Sequence, residues 1–153
     1  MTPQVAKPHA VDNIVSVDTL KGTKINEAFL GTCTNGRLED LKVAATMLKT
    51  RKVSSEVKFI IAPASRRIFL EALKAGYVYI LIKAGAVIVA PGCGPCVGTH
   101  NGIPADSEVV ISSANRNFKG RMGNPSAFIY LASPATVVAS AIYGKITDPR
   151  KLL

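Results

Sequence analysis

The feature that most constrains the fold is a repeated alternation between short apolar runs and segments with helical spacing. The apolar, β-branched runs predict strands, and loops rich in Gly, Ser, Asn and Pro separate them. The predicted strands cover 26–31, 57–62, 86–90, 108–113 and 127–132. Strands that alternate with helices are typical of an α/β fold with a mainly parallel sheet and helices on both faces, a three-layer α/β/α arrangement.

Two of the helical segments have recognisable patterns. In residues 37–49 the leucines and alanines recur at helical spacing, and either Thr34 or Asn35 is a candidate N-cap. Residues 133–144 begin with Ser-Pro and end with Gly, which predicts a helix with a capped start and a left-handed stop.

The region between the second and third predicted strands is less uniform. Ser65 is a candidate N-cap for a helix that runs to Ala75 and stops at Gly76. Residues 77–85 stay ambiguous, because their β-branched side chains favour a strand whereas their place between Gly76 and the next strand allows a short helix.

Length and hydrophobic content bound the organisation of the chain. A length of 153 residues with 48% hydrophobic side chains is enough for one domain with a packed core. Residues 1–24 hold two prolines and no sustained periodicity, so we expect an extended leading segment followed by a single α/β domain over 25–153. No apolar run reaches the length of a membrane span, and the first residues lack the apolar core of a secretory signal. The expected location is the cytoplasm.

The charge balance is strongly basic. The formal charge is +9, from 19 Lys and Arg against 10 Asp and Glu. Such an excess is compatible with nucleic acid, an acidic partner or small polyanions. The charges are scattered, however, and aromatic residues that stack on bases are sparse, so a solvated surface is the simpler explanation. An RNA-binding module is therefore only an alternative function.

Cysteines are few and unevenly placed. Cys93 and Cys96 lie in "PGCGPC", and Cys33 lies sixty positions upstream in "GTCTNGR". A Cys-x-x-Cys turn brings two thiolates within reach of one metal centre, and the flanking glycines let the backbone fold tightly around it. Each of these loops follows a predicted strand, so the loops can meet at the carboxyl edge of a parallel sheet.

Three cysteines leave two kinds of metal site open. Structural zinc takes four protein ligands, so a zinc scaffold would need His100 beside the three cysteines. An iron–sulfur cluster is normally held by four cysteines, so three would leave one iron of a [4Fe–4S] cluster without a protein ligand. An iron with open positions can act as a Lewis acid toward a substrate oxygen.

A third loop, "SSANRNFKGR", carries Arg116 and Arg121. Guanidinium groups bind carboxylates through two parallel hydrogen bonds, which lysine cannot do. Together with a Lewis-acidic iron, this pair indicates a di- or tricarboxylate substrate.

The stretches "GTCTNGRLEDL", "PGCGPCVG" and "SANRNFKGR" together resemble the iron–sulfur domain of the aconitase family. They occur in the same order and at similar spacing, and the likeness runs from about residue 24 to residue 148. Arg37, which follows "CTNG", is more similar to the 3-isopropylmalate and homoaconitate isomerase branch than to mitochondrial-type aconitase.

The resemblance implies a cofactor, its ligands and the residues around them. The cofactor is a [4Fe–4S] cluster, which an isolated domain purified in air is expected to lose. The matching residues are the cluster ligands Cys33, Cys93 and Cys96, the substrate-binding Arg116 and Arg121, and the cluster-adjacent Asn35 and Asn115.

The resemblance also implies a reaction and partners. The reaction is that of a hydro-lyase, which removes water from a hydroxy di- or tricarboxylic acid and returns it to the neighbouring carbon, as in leucine biosynthesis. In the family, further large-subunit domains and a small swivelling subunit complete the active site. We therefore expect this chain to be a fragment of a longer large subunit, with no catalytic residue of its own and no activity alone.

Overall fold

A seven-stranded sheet organises the chain in the computed structural model, which describes residues 2–152. The strands are β1 (Gln4–Ala6), β2 (Ile14–Ser16), β3 (Glu27–Gly31), β4 (Lys58–Ala62), β5 (Val87–Ile88), β6 (Val109–Ser112) and β7 (Phe128–Ala132). The α-helices are α1 (Leu38–Leu48), α2 (Arg66–Lys74), α3 (Tyr77–Lys83), α4 (Gly94–Val97) and α5 (Pro134–Tyr143). Two 3₁₀ turns cover Val17–Leu20 and Pro149–Lys151.

The strand order confirms the predicted α/β class. The sheet runs β2-β1-β7-β6-β3-β4-β5, and the five strands from β7 to β5 are parallel. The hairpin of β1 and β2 pairs antiparallel with the edge of β7. The leading segment therefore joins the sheet, a pairing that its sequence does not predict. Met1 and Leu153, the ends of the two predicted ranges, lie outside the described residues.

The two faces of the sheet are covered differently. Ala28 and Leu30 of β3 face a large core shared with α1, α2, α3 and α5, whereas Phe29 faces a smaller core that includes Cys96 and Met122. The smaller core is covered by the four-residue α4 and by loops, so the third layer is thin within residues 2–152.

The handedness of the connections explains this difference. Parallel strands are joined by right-handed crossovers. The steps from β3 to β4 and β5 run in one direction and place their helices on one face. The return from β5 to β6 and β7 runs in the opposite direction, so its connections cross the other face. The segments that carry Cys93 and Arg121 belong to this return path.

The sequence predicts the N-cap of α2 correctly but not that of α1. The Ser65 side chain accepts a hydrogen bond from the Ile68 N–H at 3.2 Å, which confirms the predicted N-cap of α2. The predicted N-cap of α1 is wrong: this position is Arg37. The Asp40 carboxylate accepts the backbone N–H groups of Gly36 at 3.0 Å and Arg37 at 3.1 Å. A side chain inside the first turn thus replaces a Ser or Thr cap.

Core packing determines that the segment over residues 77–85, which its sequence leaves ambiguous, contains a helix. Residues 77–83 form the helix α3, which buries Val78 and Leu81 one turn apart against the large core. The following strand is only Val87–Ile88, shorter than the predicted 86–90. No helix within residues 2–152 has the length and apolar character to cross a membrane.

Candidate metal and substrate site

Three loops at the carboxyl edge of the parallel strands carry the predicted site residues. The Cys33 loop (32–37) follows β3, the Cys93 loop (89–93) follows β5 and leads into α4, and the arginine loop (113–127) follows β6. All three cysteines are free thiols, of which Cys33 and Cys93 are exposed and Cys96 is buried. Because β3, β5 and β6 are parallel, their loops leave the sheet at the same edge.

The Cys33 loop is tied to the start of the arginine loop. The Ser113 hydroxyl accepts the N–H of Gly31 at 2.9 Å, and the Ser113 carbonyl accepts the side-chain amide of Asn35. The chain leaves β3 toward β4 on one side and reaches β6 on the other, so the strand order reverses here. Such a reversal is where ligands bind in open α/β sheets.

The path of the Cys33 loop depends on glycines that pack against β4. Gly31 has φ +117°, and a Cβ there would lie 1.9 Å from the carbonyl oxygen of Ala62. Gly36 has φ +75°, and a Cβ there would lie 2.5 Å from the same oxygen. Thr32 has φ 138° although it is not glycine, a strained conformation that neighbouring structure must maintain. These contacts fix the loop that exposes Cys33.

The turn between Cys93 and Cys96 is the short helix α4. A Cβ on Gly94 would lie 2.2 Å from Cε1 of His100, so the imidazole occupies the space that a side chain would need. Asn101 also holds the ring, because its Nδ2 lies 2.9 Å from His100 Nδ1. His100 therefore packs directly on the turn between the two cysteines.

The two predicted substrate arginines lie in different surroundings. The Nη2 group of Arg121 donates a hydrogen bond to Cys96 Sγ at 3.1 Å, and the guanidinium carbon lies 5.7 Å from the ring centroid of Phe118. Arg116 is exposed and lines a cavity of about 470 Å³ together with Asn115 and residues 9–12. The bond from Arg121 to a predicted cluster ligand was not predicted from the sequence.

A buried asparagine brings the leading segment to this cavity. The side-chain amide of Asn117 donates to the carbonyls of Lys7 at 2.7 Å and Ile129 at 3.2 Å, and the backbone carbonyl of Asn117 accepts the N–H of His9 at 3.1 Å. Asn117 is fully buried. The sequence analysis missed this role, because an asparagine between two arginines has no local mark of burial.

The arginine loop also packs on the end of α4. A Cβ on Gly98 would lie 2.2 Å from the backbone nitrogen of Gly123, so only glycine permits this approach. The arginine loop thus contacts the Cys33 loop through the bond from Asn35 to Ser113, and it contacts the cysteine turn at residues 121–123. The strand β4 separates β3 from β5, which places these two strands roughly 10 Å apart.

The donor set discriminates between the two kinds of metal site. No group of three or more His, Cys, Asp or Glu side chains within residues 2–152 is arranged to hold one metal ion, so the zinc scaffold with His100 finds no support. In a [4Fe–4S] cluster each thiolate binds its own iron atom, so the ligands need not converge on one point. Next to Cys96, the buried Nε of Arg121 has no hydrogen-bond partner among the described residues, which leaves a donor for an anionic group. Three free thiols in loops at one sheet edge, with such a donor beside Cys96, fit a cluster.

A buried carboxyl lies at the opposite end of the parallel strands, where β3 begins. Glu27 opens β3 with its side chain fully buried, and this burial raises its pKa to about 7. The nearest cation, Lys58 Nζ, lies 3.5 Å from the Glu27 carboxylate because it bonds Glu108 more closely, at 2.8 Å. Glu27 takes no part in the candidate site, but its charge state affects the stability of the sheet.

Comparison with known proteins supplies a family context. The profile of the aconitase family (aconitate hydratase) matches residues 3–144. The chain is 57% identical, over all 153 residues, to 3-isopropylmalate dehydratase large subunit 2 of Archaeoglobus fulgidus, of which it covers 37%. It is 59% identical over 150 residues, 98% of its length, to a probable methanogen homoaconitase large subunit of Methanosarcina mazei, of which it covers 38%. The chain thus spans less than two fifths of these curated relatives, and the matches confirm the resemblance that the three motifs indicate.

Proposed function

Because the chain belongs to the aconitase family, we propose that it is the cluster-bearing domain of a hydro-lyase large subunit. The proposed reaction removes water from a hydroxy di- or tricarboxylic acid and returns it to the neighbouring carbon. The names of the two relatives, a 3-isopropylmalate dehydratase and a probable homoaconitase, favour substrates of those types. The main support for this proposal is that three loops meet at one sheet edge. Ser113 bonds to Gly31 and Asn35, and Arg121 bonds to Cys96.

The three cysteines are the proposed cluster ligands. When bound, a [4Fe–4S] cluster with one iron free of protein thiolate supplies a Lewis acid for the substrate hydroxyl. Cys33 and Cys93 are exposed and so accessible to a cluster that is assembled from solution, whereas Cys96 lies in the smaller core. In this proposal Asn35 and Asn115 lie beside the cluster, Asn35 through its bond to the arginine loop and Asn115 through its place in the Arg116 cavity.

The two arginines are the proposed carboxylate ligands. Arg116 is exposed at a cavity, which suits a forked pair of hydrogen bonds to a substrate carboxylate. Arg121 adds positive charge on the other side of the arginine loop, beside Cys96. Together they favour a substrate that carries more than one carboxylate.

The chain alone is proposed to lack activity. General acid–base catalysis requires a proton carrier within hydrogen-bond reach of the reacting atoms. The chain has two histidines: the His9 ring lies 5.9 Å from that of Phe128, and the His100 ring lies against Gly94. Further large-subunit domains and a small swivelling subunit would supply the base and close the pocket. A cytoplasmic location stays a prediction, and the RNA-binding alternative gains no supporting observation within residues 2–152.

A kinetic comparison tests this proposal. In the complete enzyme, Arg116→Lys should lower kcat/KM by about tenfold or more, since losing a forked bond to a carboxylate costs about 1.5–3 kcal/mol. Arg67→Lys is the matched control, because Arg67 is exposed on α2 and pairs only loosely with Glu71 at 3.8 Å. It should keep the wild-type rate. Turnover by this chain alone, or a wild-type rate from Arg116→Lys, would contradict the proposal.

A further inference from the structure

Arg121 contacts the sulfur of a proposed cluster ligand directly. Its Nη2 donates to Cys96 Sγ at 3.1 Å, and Cys96 is only 5% exposed. A guanidinium stays protonated at any physiological pH, so this sulfur faces a permanent positive charge. Water screens the interaction little at a buried sulfur, which strengthens it.

The packing of the arginine loop holds this contact in place. The Arg121 N–H donates to the carbonyl of Phe118 at 3.0 Å, and the Phe118 ring lies beside the guanidinium. The next residue, Met122, is 1% exposed in the same core as Cys96. The backbone of Gly123 then packs against Gly98 at the end of α4. Arg121 and the turn that carries Cys96 are thus anchored to each other at both backbone and side chain.

The Nε of the same guanidinium is a second indication that an anion binds here. The Nε of Arg121 is buried and has no hydrogen-bond partner among residues 2–152. Buried donors are nearly always paired in folded proteins. This Nε is therefore available to donate a hydrogen bond to an anionic group that binds at the Cys96 sulfur.

We propose that Arg121 is a positioning residue of the cluster, which holds Cys96 as a ligand and raises the reduction potential of the bound cluster. This inference rests on the proposed function and extends it, because the resemblance assigns Arg121 only to substrate carboxylates. Hydrogen bonds to cluster sulfurs and nearby charge set reduction potentials. A cationic donor stabilises the more negative, reduced state, so its removal shifts the potential to more negative values. Its removal also weakens retention of the iron that Cys96 binds.

The experiment uses this chain, reconstituted anaerobically with ferrous iron and sulfide and then titrated with dithionite under EPR detection. The variants are Arg121→Gln, which removes the charge and the fork, and Arg121→Lys, which keeps the charge alone. The control is Lys119→Gln, which removes one positive charge from an exposed side chain of the same loop. Thermal melting of each variant reports whether it folds.

We expect Arg121→Gln to shift the cluster potential to more negative values and to lose iron to a chelator about tenfold faster, the size of effect typical for a hydrogen bond to a charged group. Arg121→Lys should lie between Arg121→Gln and the wild type, and Lys119→Gln should match the wild type.

Two results would overturn the inference: an unchanged potential and iron loss in Arg121→Gln, or an equal shift in Lys119→Gln, which would indicate net charge alone. If Arg121→Gln does not fold, Arg121→Lys decides, because a wild-type potential in that variant would overturn the inference as well. A wild-type chain that binds no cluster would refute the proposed function, and with it this inference. The two failures are therefore distinguishable.

Discussion

Replacing Glu27 by Gln should change how the stability of the domain depends on pH. Burial raises the pKa of Glu27 from 4.5 to about 7, and attraction to Lys58 opposes this shift without cancelling it. Because the folded-state pKa exceeds the unfolded value, the folded state holds a proton that the unfolded state releases between these two pH values. The stability of the wild type should therefore fall as pH rises through this window. A difference of about 2.5 pKa units corresponds to about 3 kcal/mol.

Urea unfolding between pH 4 and pH 8 provides the assay. Glu27→Gln keeps the shape of the protonated side chain and cannot ionise, so its stability relative to the wild type should increase with pH by up to about 3 kcal/mol. Glu56→Gln, at an exposed glutamate two residues before Lys58, is the control for loss of one negative charge. A difference between Glu27→Gln and the wild type that stays constant across the window would refute the reasoning, as would an equal trend in the Glu56→Gln control.

Two further substitutions test the packing around the site. Gly94→Ala should weaken iron retention after reconstitution, because its Cβ would lie 2.2 Å from the exposed His100 ring, which must then move, and adding His100→Ala to that variant should restore retention. Failure of the rescue would show that the glycine is needed for another reason. Asn117→Ala should lower the free energy of unfolding by about 2–3 kcal/mol, since it leaves the buried carbonyl of Ile129 and that of Lys7 without a donor. Urea unfolding and limited proteolysis near residue 10 measure this loss, and an unchanged protease pattern would contradict it.

Much of the fold could be predicted from the sequence because its determinants are local. Strands buried on both faces appear as continuous apolar runs, so all five parallel strands were found. Ser65 caps α2 through an atom three residues away, which a sequence pattern contains. The pairing of β1 with β7 joins a three-residue strand near the start of the chain to a five-residue strand more than a hundred residues later, and no local pattern contains it. The choice of helix for residues 77–83 depends on the core that Val78 and Leu81 face.

Part of the candidate site could likewise be predicted from the sequence, and part could not. The order of strands and loops was sufficient to predict that the Cys33 loop, the Cys93 loop and the arginine loop share one sheet edge. The bond from Arg121 to Cys96 could not be predicted, because it depends on the path of the arginine loop across the face that lacks long helices. The burial of Glu27 could not be predicted either, since it depends on the segment of Gly102, where an added Cβ would lie 3.2 Å from the Glu27 carboxylate.

Iron and sulfide analysis, with absorption and EPR spectra, after anaerobic reconstitution of the chain tests directly whether this domain binds a cluster. We expect about four irons per wild-type chain and a brown protein that readily loses one iron on oxidation, because that iron has no thiolate. Cys33→Ser, Cys93→Ser and Cys96→Ser should each greatly reduce the iron content, whereas the neighbouring Thr34→Ser should keep it. Normal iron content in Cys33→Ser, or stoichiometric zinc that depends on His100, would contradict the account.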